Sequence, residues 1–254
     1  MHLKHLEAFL MQMRKHNLTL NLKKCILAKP KVKFIGHIVG SGTIEMNPDR
    51  TESLLQMKIP ETKKQVKQML GLFSYYRQFV NNFAHIAQPL PGLTKKILSD
   101  KITWIDIHQK AFDILKKEIQ KNMTLCTFDV TKPFHLYCDS SDYAVGAVLT
   151  QQDNGGVERP ISFISQKLTD TQPRWATIEK EAYAIVWALT KLKDVIIGSK
   201  IHIFTDHNPL TYLTESMSKS AKLVRWSLAL QTFDVDVKYT KGKLNVVADC
   251  LSRL

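Results

Sequence analysis

The chain has 254 residues with a hydrophobic content of 44%, which is enough for a packed core in one large or two ordinary domains. It has no apolar run long enough to span a membrane and no signal-peptide pattern, and its four scattered cysteines form no Cys-x-x-Cys pair of the kind that holds zinc. These features argue against a membrane-spanning or zinc-knuckle protein. We expect an intracellular protein, in the cytoplasm or nucleus, with reduced cysteines.

The net charge of +13 is unevenly distributed along the chain. Residues 1–130 carry 21 Lys and Arg against 10 Asp and Glu, and residues 131–254 carry 15 against 13, which gives net charges of +11 and +2. A basic part joined to a near-neutral part favours a module that grips a nucleic-acid backbone beside a metal-dependent catalytic module. Ordinary solubilising lysines are the alternative.

The first part of the chain shows mainly helical spacing of its apolar residues. Helices are predicted over residues 3–17, 48–58, 62–83 and 108–121. Residues 32–39 are strand-like and precede turn residues at 40–42, after which the apolar pattern resumes at Ile44. This arrangement predicts a short β-hairpin.

After Pro133 the apolar pattern changes to that of strands. Strands are predicted over residues 134–138, 144–150, 160–165, 201–205 and 233–239, and helices over residues 173–193, 219–230 and 245–254. The order βββαβαβα predicts an α/β (α+β) domain with a central sheet covered by helices.

Four acidic residues lie beside apolar residues, where an ionised carboxylate is costly unless something offsets its charge: Asp139, Glu181, Asp206 and Asp249. Asp139 and Asp206 fall at predicted strand ends, where ligands collect in α/β sheets, and Asp249 falls early in the last predicted helix. Oxygen ligands suit Mg²⁺ or Mn²⁺, and two such ions about 4 Å apart can clamp the attacking and leaving oxygens of a phosphodiester. The pattern predicts a two-metal nuclease site.

Glu179 and Glu181 lie on the same predicted helix, and both are candidates for one position in this site. Two positions apart, they face different sides of that helix. Glu181 shares its side with apolar residues, namely Ile178, Ile185 and Ala188. We therefore assign Glu181 to the site and expect Glu179 to face solvent.

His207 follows Asp206 directly and could handle protons near the site. A structural histidine, or a helix cap formed by residues 206–209, is the alternative. Asp142 and Asp153 are interpreted as turn residues. The sequence contains neither the Gly-x-Ser-x-Gly elbow of serine hydrolases nor a Gly-rich phosphate loop, which disfavours those two classes.

These motifs together resemble one known family nearly from end to end. The two most specific blocks are Gly-Leu-Phe-Ser-Tyr-Tyr-Arg at residues 71–77 and Asn-Val-Val-Ala-Asp-Cys-Leu-Ser-Arg at residues 245–253. Further matches lie at residues 20–25, 34–39, 139–151 and 205–207. The chain resembles the C-terminal half of the reverse transcriptase–ribonuclease H segment of gypsy-type LTR retrotransposon polyproteins.

The resemblance implies three parts: residues 1–90 as the end of the palm and the thumb of a reverse transcriptase, residues 91–130 as a connector, and residues 131–254 as a ribonuclease H domain with a mixed five-stranded sheet. It implies cleavage of the RNA strand of RNA–DNA hybrids, with two Mg²⁺ ions (Mn²⁺ as an alternative) held by the four acids, Asp139, Glu181, Asp206 and Asp249. Such a site recognises the backbone shape of the hybrid and the RNA 2′-hydroxyls.

The resemblance also implies contacts to nucleic acid. The hairpin matches the primer-gripping element of the family, with Phe34, Gly36 and His37 as contact residues. Further candidate contacts to the backbone are Arg225, Lys241 and Lys243. Trp226, next to Arg225, is interpreted as a core residue. For Lys241 and Lys243 the alternative is that they are simply solvated lysines.

Two departures from the family pattern limit what the resemblance implies. The polymerase signature Tyr-x-Asp-Asp is missing, so DNA synthesis by this chain alone is not expected. Lys241 also stands where the family has proline, which affects the grip on the backbone more than the chemistry. Two alternatives stay open: a catalytically silent nucleic-acid-binding module derived from a retroelement, and a module that docks on a full-length reverse transcriptase.

Overall fold

The computed structural model describes residues 2–95, 99–205 and 221–239. The chain divides into two compact units after Val32. The first unit contains helix α1 (His2–Lys15) and a 3-10 turn at Leu22–Lys24, and its apolar side chains are largely exposed. Within the described ranges, no helix is both long and apolar enough to cross a membrane.

A small four-stranded sheet follows, and its first strand spans the boundary between the two units. Its strands are β1 (Lys31–Phe34), β2 (His37–Gly40), β3 (Thr43–Met46) and β4 (Leu125–Cys126), in that order across the sheet. Strands β2 and β3 form a hairpin at the predicted turn, which places Ser41 and Gly42 in the left-handed region. The prediction of one continuous strand over residues 32–39 is wrong, because Ile35 (φ 43°) and Gly36 (φ 74°) form a left-handed turn that separates β1 from β2. Strand β4 was not predicted, because two residues are too few to show an alternating pattern.

Four helices pack beside this small sheet: α2 (Pro48–Leu55), α3 (Lys63–Tyr75), α4 (Phe83–Ile86) and α5 (Asp106–Gln120). Helix α3 begins with a capping box, in which Thr62 Oγ1 accepts from the Gln65 backbone amide and Gln65 Oε1 accepts from that of Thr62. The side chains of Phe73 and Phe112 meet edge-on in a core shared by these helices, with ring centroids 6.0 Å apart.

The prediction of one continuous helix over residues 62–83 is wrong. Helix α3 ends at Tyr75, a 3-10 turn follows at Arg77–Phe79, and α4 begins only at Phe83. The backbone explains the break, because Val80 is extended (φ −111°) and Asn82 is left-handed (φ 48°). The helical spacing of apolar residues continues across this break, so the sequence pattern did not indicate that the helix ends.

A mixed five-stranded sheet forms the remainder of the second unit, and it confirms the predicted fold class. Its strands are β5 (Phe134–Ser140), β6 (Ala144–Gln152), β7 (Glu158–Lys167), β8 (Lys200–Thr205) and β9 (Asp234–Tyr239), and their order is β7-β6-β5-β8-β9. The pairs β5–β8 and β8–β9 are parallel, and the pairs β5–β6 and β6–β7 are antiparallel.

Helices α6 (Thr177–Ile196) and α7 (Ala221–Leu230) contribute to the core of this sheet. The buried side chains of α6 include Ala182, Ile185 and Leu189, at the helical spacing that the sequence shows. The predicted closing helix over residues 245–254 lies outside the described residues.

Strand β7 is an edge strand of the five-stranded sheet, and the segment around α4 covers it. The Arg77 guanidinium donates a hydrogen bond to the Ser165 carbonyl oxygen, and the Ala84 backbone amide donates to Ser165 Oγ over 3.0 Å. Covering an edge in this way blocks pairing with another chain. It also brings the segment between α3 and α4 close to the end of β5.

Candidate active site

Asp139 lies near the end of β5, the central strand of the five-stranded sheet. It stands directly opposite Gly146 on β6, and Gly146 stands directly opposite Ser165 on β7. Directly opposed residues point to the same face of a sheet, so the three positions form one row across three strands. The side chain of Asp139 is half-buried.

Glu181 lies in the second turn of α6 and is buried, with 7% of its surface exposed. Ser140, the residue after Asp139, donates a hydrogen bond from its Oγ to Glu181 Oε1 over 2.6 Å. A buried carboxylate is tolerated when it is hydrogen-bonded. This bond therefore joins the end of β5 to α6 and keeps two of the predicted site acids at one end of the sheet.

The pKa of Cys138 reflects its burial and the two carboxylates near the end of β5. Its thiol is buried, and burial raises the pKa of Cys138 well above its ordinary value. The charges of Glu181 and Asp139 raise that pKa further, because both carboxylates lie close enough to disfavour a thiolate. Two carboxylates therefore lie near one another at this end of the sheet, an arrangement that a divalent cation would stabilise.

Glu179 does not face solvent, contrary to the prediction. Its Oε2 accepts an ion pair from Lys222 Nζ over 3.1 Å, and only 18% of its side chain is exposed. The Lys222 ammonium also lies 4.3 Å from the centroid of the Trp175 ring. Packing of α7 against α6 creates this environment, which the spacing within α6 alone does not reveal. The choice of Glu181 over Glu179 for the site is unaffected.

A second ion pair holds the turn after β5 against α6. The Nζ of Lys180 contacts Asp142 Oδ1, and the Lys180 side chain is 10% exposed whereas that of Asp142 is 72% exposed. Asp142 lies in the turn, as interpreted from sequence, and also anchors it. Asp153 accepts from the backbone amides of Gly155 and Val157, which confirms its reading as a turn residue.

A small pocket of about 120 Å³ opens beside Asp139. The sheet lines it with Asp139, Ser140 and Gly146, and the segment that covers β7 lines it with Asn82 and His85. Sequence analysis missed Ser140, Asn82 and His85. Adjacency to Asp139 could have pointed to Ser140, but no local pattern points to the other two.

The donor set at this end of the sheet fits a hard divalent cation, because it consists of carboxylate and hydroxyl oxygens. Asp206, His207 and Asp249 lie outside the described residues; β8 ends at Thr205, one residue before Asp206 in the sequence. Across the described part of the chain, no group of three or more His, Cys, Asp or Glu side chains is placed to hold a metal ion.

The hairpin residues that were predicted to contact nucleic acid have different environments. Phe34 is 60% exposed and the neighbouring Ile35 is 70% exposed. Gly36 adopts φ +74°, and a Cβ at this position would lie 2.8 Å from the Tyr75 hydroxyl. Glycine is therefore required at this turn for both its conformation and its size. Of these three residues, Phe34 is the exposed one, and Gly36 and His37 are half-buried.

His37 lies inside an aromatic cluster. Its ring stacks on Tyr75 with centroids 5.1 Å apart and also contacts Tyr76 and Phe79. Its Nδ1 is buried and has no hydrogen-bond partner among the described residues. Burial lowers the pKa of His37 below its ordinary value, which favours the neutral ring. The structure thus gives His37 a packing role.

Of the remaining predicted contact residues, the structure describes Arg225, which is exposed on α7. Lys241 and Lys243 lie beyond the described residues. Trp226 is half-buried and packs against Trp175 and Tyr183, with centroids 5.7 and 6.1 Å away. This placement agrees with its interpretation as a core residue.

Comparison with known proteins places this site in a family. Residues 129–233 match the model of the RNase H-like domain found in reverse transcriptase. The chain is 37% identical over 263 residues to the retrovirus-related Pol polyprotein from transposon opus, and 38% identical over 256 residues to that from transposon 297, both of Drosophila melanogaster. These alignments cover 100% of this chain and 26% and 23% of the two polyproteins, so the chain spans about a quarter of their length.

Solved structures share the fold. The foamy viral protease–reverse transcriptase in complex with RNA/DNA hybrid aligns with a TM-score of 0.79 and 23% identity, over 100% of this chain and 34% of that one. The same viral protein in complex with dsDNA aligns with a TM-score of 0.77 and 23% identity, over 95% of this chain and 51% of that one.

The polyprotein from transposon gypsy of Drosophila melanogaster is also similar, with 34% identity over 99% of this chain. The matched residues include strand β5, which carries Asp139, and helix α6, which carries Glu181. The chain therefore belongs, over residues 129–233, to the RNase H-like domain family of reverse transcriptases, and it is along its whole length a relative of gypsy-type retrotransposon Pol polyproteins.

Proposed function

We propose that this chain is an endonuclease that hydrolyses the RNA strand of RNA–DNA hybrids, as the C-terminal part of a retrotransposon reverse transcriptase. The observation that carries the proposal is the junction of β5 and α6, where Ser140 links the Asp139 position to the buried Glu181. The family match over residues 129–233 supports it. So does the related fold of a viral enzyme solved with RNA/DNA hybrid.

We propose that the chain consists of three segments with different roles. Residues 1–90 correspond to the end of the palm and the thumb, residues 91–130 to a connector, and residues 131–254 to the ribonuclease H domain. Two hydrophobic cores support the boundary before the ribonuclease H domain: one contains Phe73 and Phe112 and so joins the first two segments, and the other contains Leu136 and Ile185.

For catalysis we assign Asp139, Glu181, Asp206 and Asp249 as the holders of two Mg²⁺ or Mn²⁺ ions. When bound, such a pair activates water and stabilises the charge on the attacking and leaving oxygens of a phosphodiester. The protein's own part is to gather the carboxylates. Ser140 orients Glu181, and the Lys180–Asp142 pair fixes the turn that follows β5. His207 is the candidate for proton transfer.

The proposed substrate is an RNA–DNA hybrid, held through its backbone. The exposed Phe34 and Arg225 are the contact candidates within the described residues, and Lys241 and Lys243 are candidates outside them. The proposed protein partner is the polymerase part of the same polyprotein, or a full-length reverse transcriptase. DNA synthesis is not expected of this chain alone, and we propose an intracellular location.

The test is cleavage of a labelled RNA–DNA hybrid by the purified chain in Mg²⁺ and in Mn²⁺. Asp139→Asn should lower the rate about 100-fold or more, because it removes a ligand that contributes several kcal/mol to the transition state. Asp194→Asn is the matched control, since Asp194 is exposed on α6 and should leave the rate unchanged. Tight binding of the hybrid without metal-dependent cleavage would instead identify a silent binding module.

A further inference from the structure

The pocket beside Asp139 has a wall that does not come from the ribonuclease H domain. Asn82 and His85 line it from the segment that precedes the domain by more than forty residues, whereas Asp139 and Ser140 line it from β5. His85 is exposed, so its imidazole is available to a bound molecule. Residues from two segments of the chain therefore meet at one candidate site.

Hydrogen bonds to the buried Ser165 fix the position of the segment that carries Asn82 and His85 relative to Asp139. Ser165 is 5% exposed and accepts from Arg77 at its carbonyl oxygen and from the Ala84 amide at its Oγ. Ser165 stands opposite Gly146, which stands opposite Asp139. Neighbouring strands lie about 4.8 Å apart, so the anchor lies two strands, or about 10 Å, from the Asp139 backbone and on the same face of the sheet.

Gly146 creates the space that Asn82 uses. A Cβ at Gly146 would lie 3.0 Å from Asn82 Oδ1, so even an alanine there would push that amide aside by a few tenths of an ångström. Asn82 itself adopts the left-handed conformation, with φ 48°, and its side chain makes no capping hydrogen bond to α4. Asparagine tolerates this conformation better than most residues. Its amide is thereby turned towards the middle of the Asp139–Gly146–Ser165 row.

We propose that Asn82 and His85 complete the ribonuclease H site by contacting the phosphodiester backbone of the strand held at Asp139. This inference rests on the proposed function. An imidazole and a side-chain amide supply N–H donors, which position a nucleic-acid backbone without reading its sequence. Arg77 and Ser165 are positioning residues, because they act by holding Asn82 and His85 in place.

The experiment compares the full chain with His85→Ala, Asn82→Ala and a control, His16→Ala, which changes an exposed histidine of the first unit. Hybrid affinity is measured by fluorescence anisotropy in Ca²⁺, and cleavage is measured in Mg²⁺. We expect His85→Ala to weaken affinity and raise KM about tenfold while kcat changes less, since a hydrogen bond to a charged phosphate is lost. His16→Ala should match the unchanged chain.

Gly146→Ala is a second variant, because its Cβ crowds the Asn82 amide without changing any polar group. It should also raise KM for the hybrid. Unchanged affinity and KM in both His85→Ala and Asn82→Ala would overturn the inference, and so would faster cleavage, which would mean that the segment obstructs the site. Failure of the proposed function is a separate result, seen as no cleavage by the unchanged chain, and the affinity arm still decides the role of His85 in that case.

Discussion

The hydroxyl of Ser140 donates a 2.6 Å hydrogen bond to the buried carboxylate of Glu181. This single contact joins the central strand β5 to helix α6 at the residue next to Asp139. Neither the strand nor the helix alone fixes the distance between the two site acids. The relation of Ser140 to Glu181 is therefore the local feature on which the geometry of the proposed metal site depends most directly.

Removal of that hydroxyl should impair the site more than the fold. Ser140→Ala removes the hydrogen bond that Ser140 donates to Glu181, and we expect hybrid cleavage to fall about tenfold, the cost of one hydrogen bond to a charged group. The measurement is single-turnover cleavage alongside thermal unfolding. Ser162→Ala on β7 is the control. Equal rates for both variants would show that Ser140 does not orient Glu181.

The two glutamates of α6 should respond in opposite ways. Glu181→Gln removes a buried charge of the site, and we expect cleavage to fall about 100-fold or more. Glu179→Gln removes the partner of Lys222 and should leave cleavage nearly unchanged while lowering stability by about 0.5 kcal/mol, as for a partly exposed ion pair. Denaturant unfolding and cleavage assays on both variants separate the two roles. A larger activity loss in Glu179→Gln would reverse our assignment.

His37 should make the protein less stable in mild acid. Burial holds its pKa below the ordinary value of 6.5 in the folded state, so its contribution to stability is present above pH 6.5 and is lost as the pH falls through the folded pKa. His37→Phe keeps the stacking on Tyr75 and removes the unpaired Nδ1. We expect this variant to lose less stability between pH 7 and pH 5, measured by urea unfolding. A pH dependence identical to that of the unchanged chain would contradict this.

Arg77 should contribute to stability through the edge strand. Its guanidinium donates to the Ser165 carbonyl oxygen and lies 5.4 Å from the centroid of the Phe83 ring. Arg77→Ala should lower the free energy of unfolding by about 1–2 kcal/mol and uncover β7 for pairing with other chains. Lys67→Ala, an exposed change on α3, serves as the control. Unaltered unfolding and solubility in Arg77→Ala would show that the contact is dispensable.

The end of β1, which precedes the hairpin, should bind nucleic acid through its exposed aromatic residue, Phe34. Phe34 is 60% exposed, and an aromatic face can stack on a base or sugar. We expect Phe34→Ala to weaken hybrid affinity about fivefold or more, from the loss of roughly 1 kcal/mol or more of stacking. Leu72→Ala, a change at a 50% exposed apolar residue of α3, is the comparison. Equal affinities for the two variants would remove Phe34 from the proposed interface.

Local patterns in the sequence predicted the elements that have such patterns. The strands β5, β6 and β8 and the helices α5 and α6 were found within a few residues of their predicted bounds, because their alternating or helical spacing spans several residues. The break after Tyr75 was missed, since apolar residues keep their helical spacing through it. It depends on the backbone conformations of Val80 and Asn82, which no spacing encodes.

In the candidate site, too, local patterns predicted some residues and missed those that depend on contacts between distant segments. Glu181 was chosen over Glu179 from the apolar face of one helix, and burial agrees with that choice. The ion pair of Glu179 with Lys222 and the approach of His85 to the Asp139 pocket depend on how distant segments pack, so they could not be read from local sequence. Asp206, His207, Asp249, Lys241 and Lys243 lie outside the described residues and stay predictions.

The most direct test of the central claim is single-turnover cleavage of a hybrid that carries a different label on each strand, in Mg²⁺. The proposed function predicts that the unchanged chain cuts the RNA strand and leaves the DNA strand intact, and that Asp139→Asn cuts neither. RNA–RNA and DNA–DNA duplexes should remain whole. Cleavage of the DNA strand, or equal cleavage by Asp139→Asn, would contradict the account.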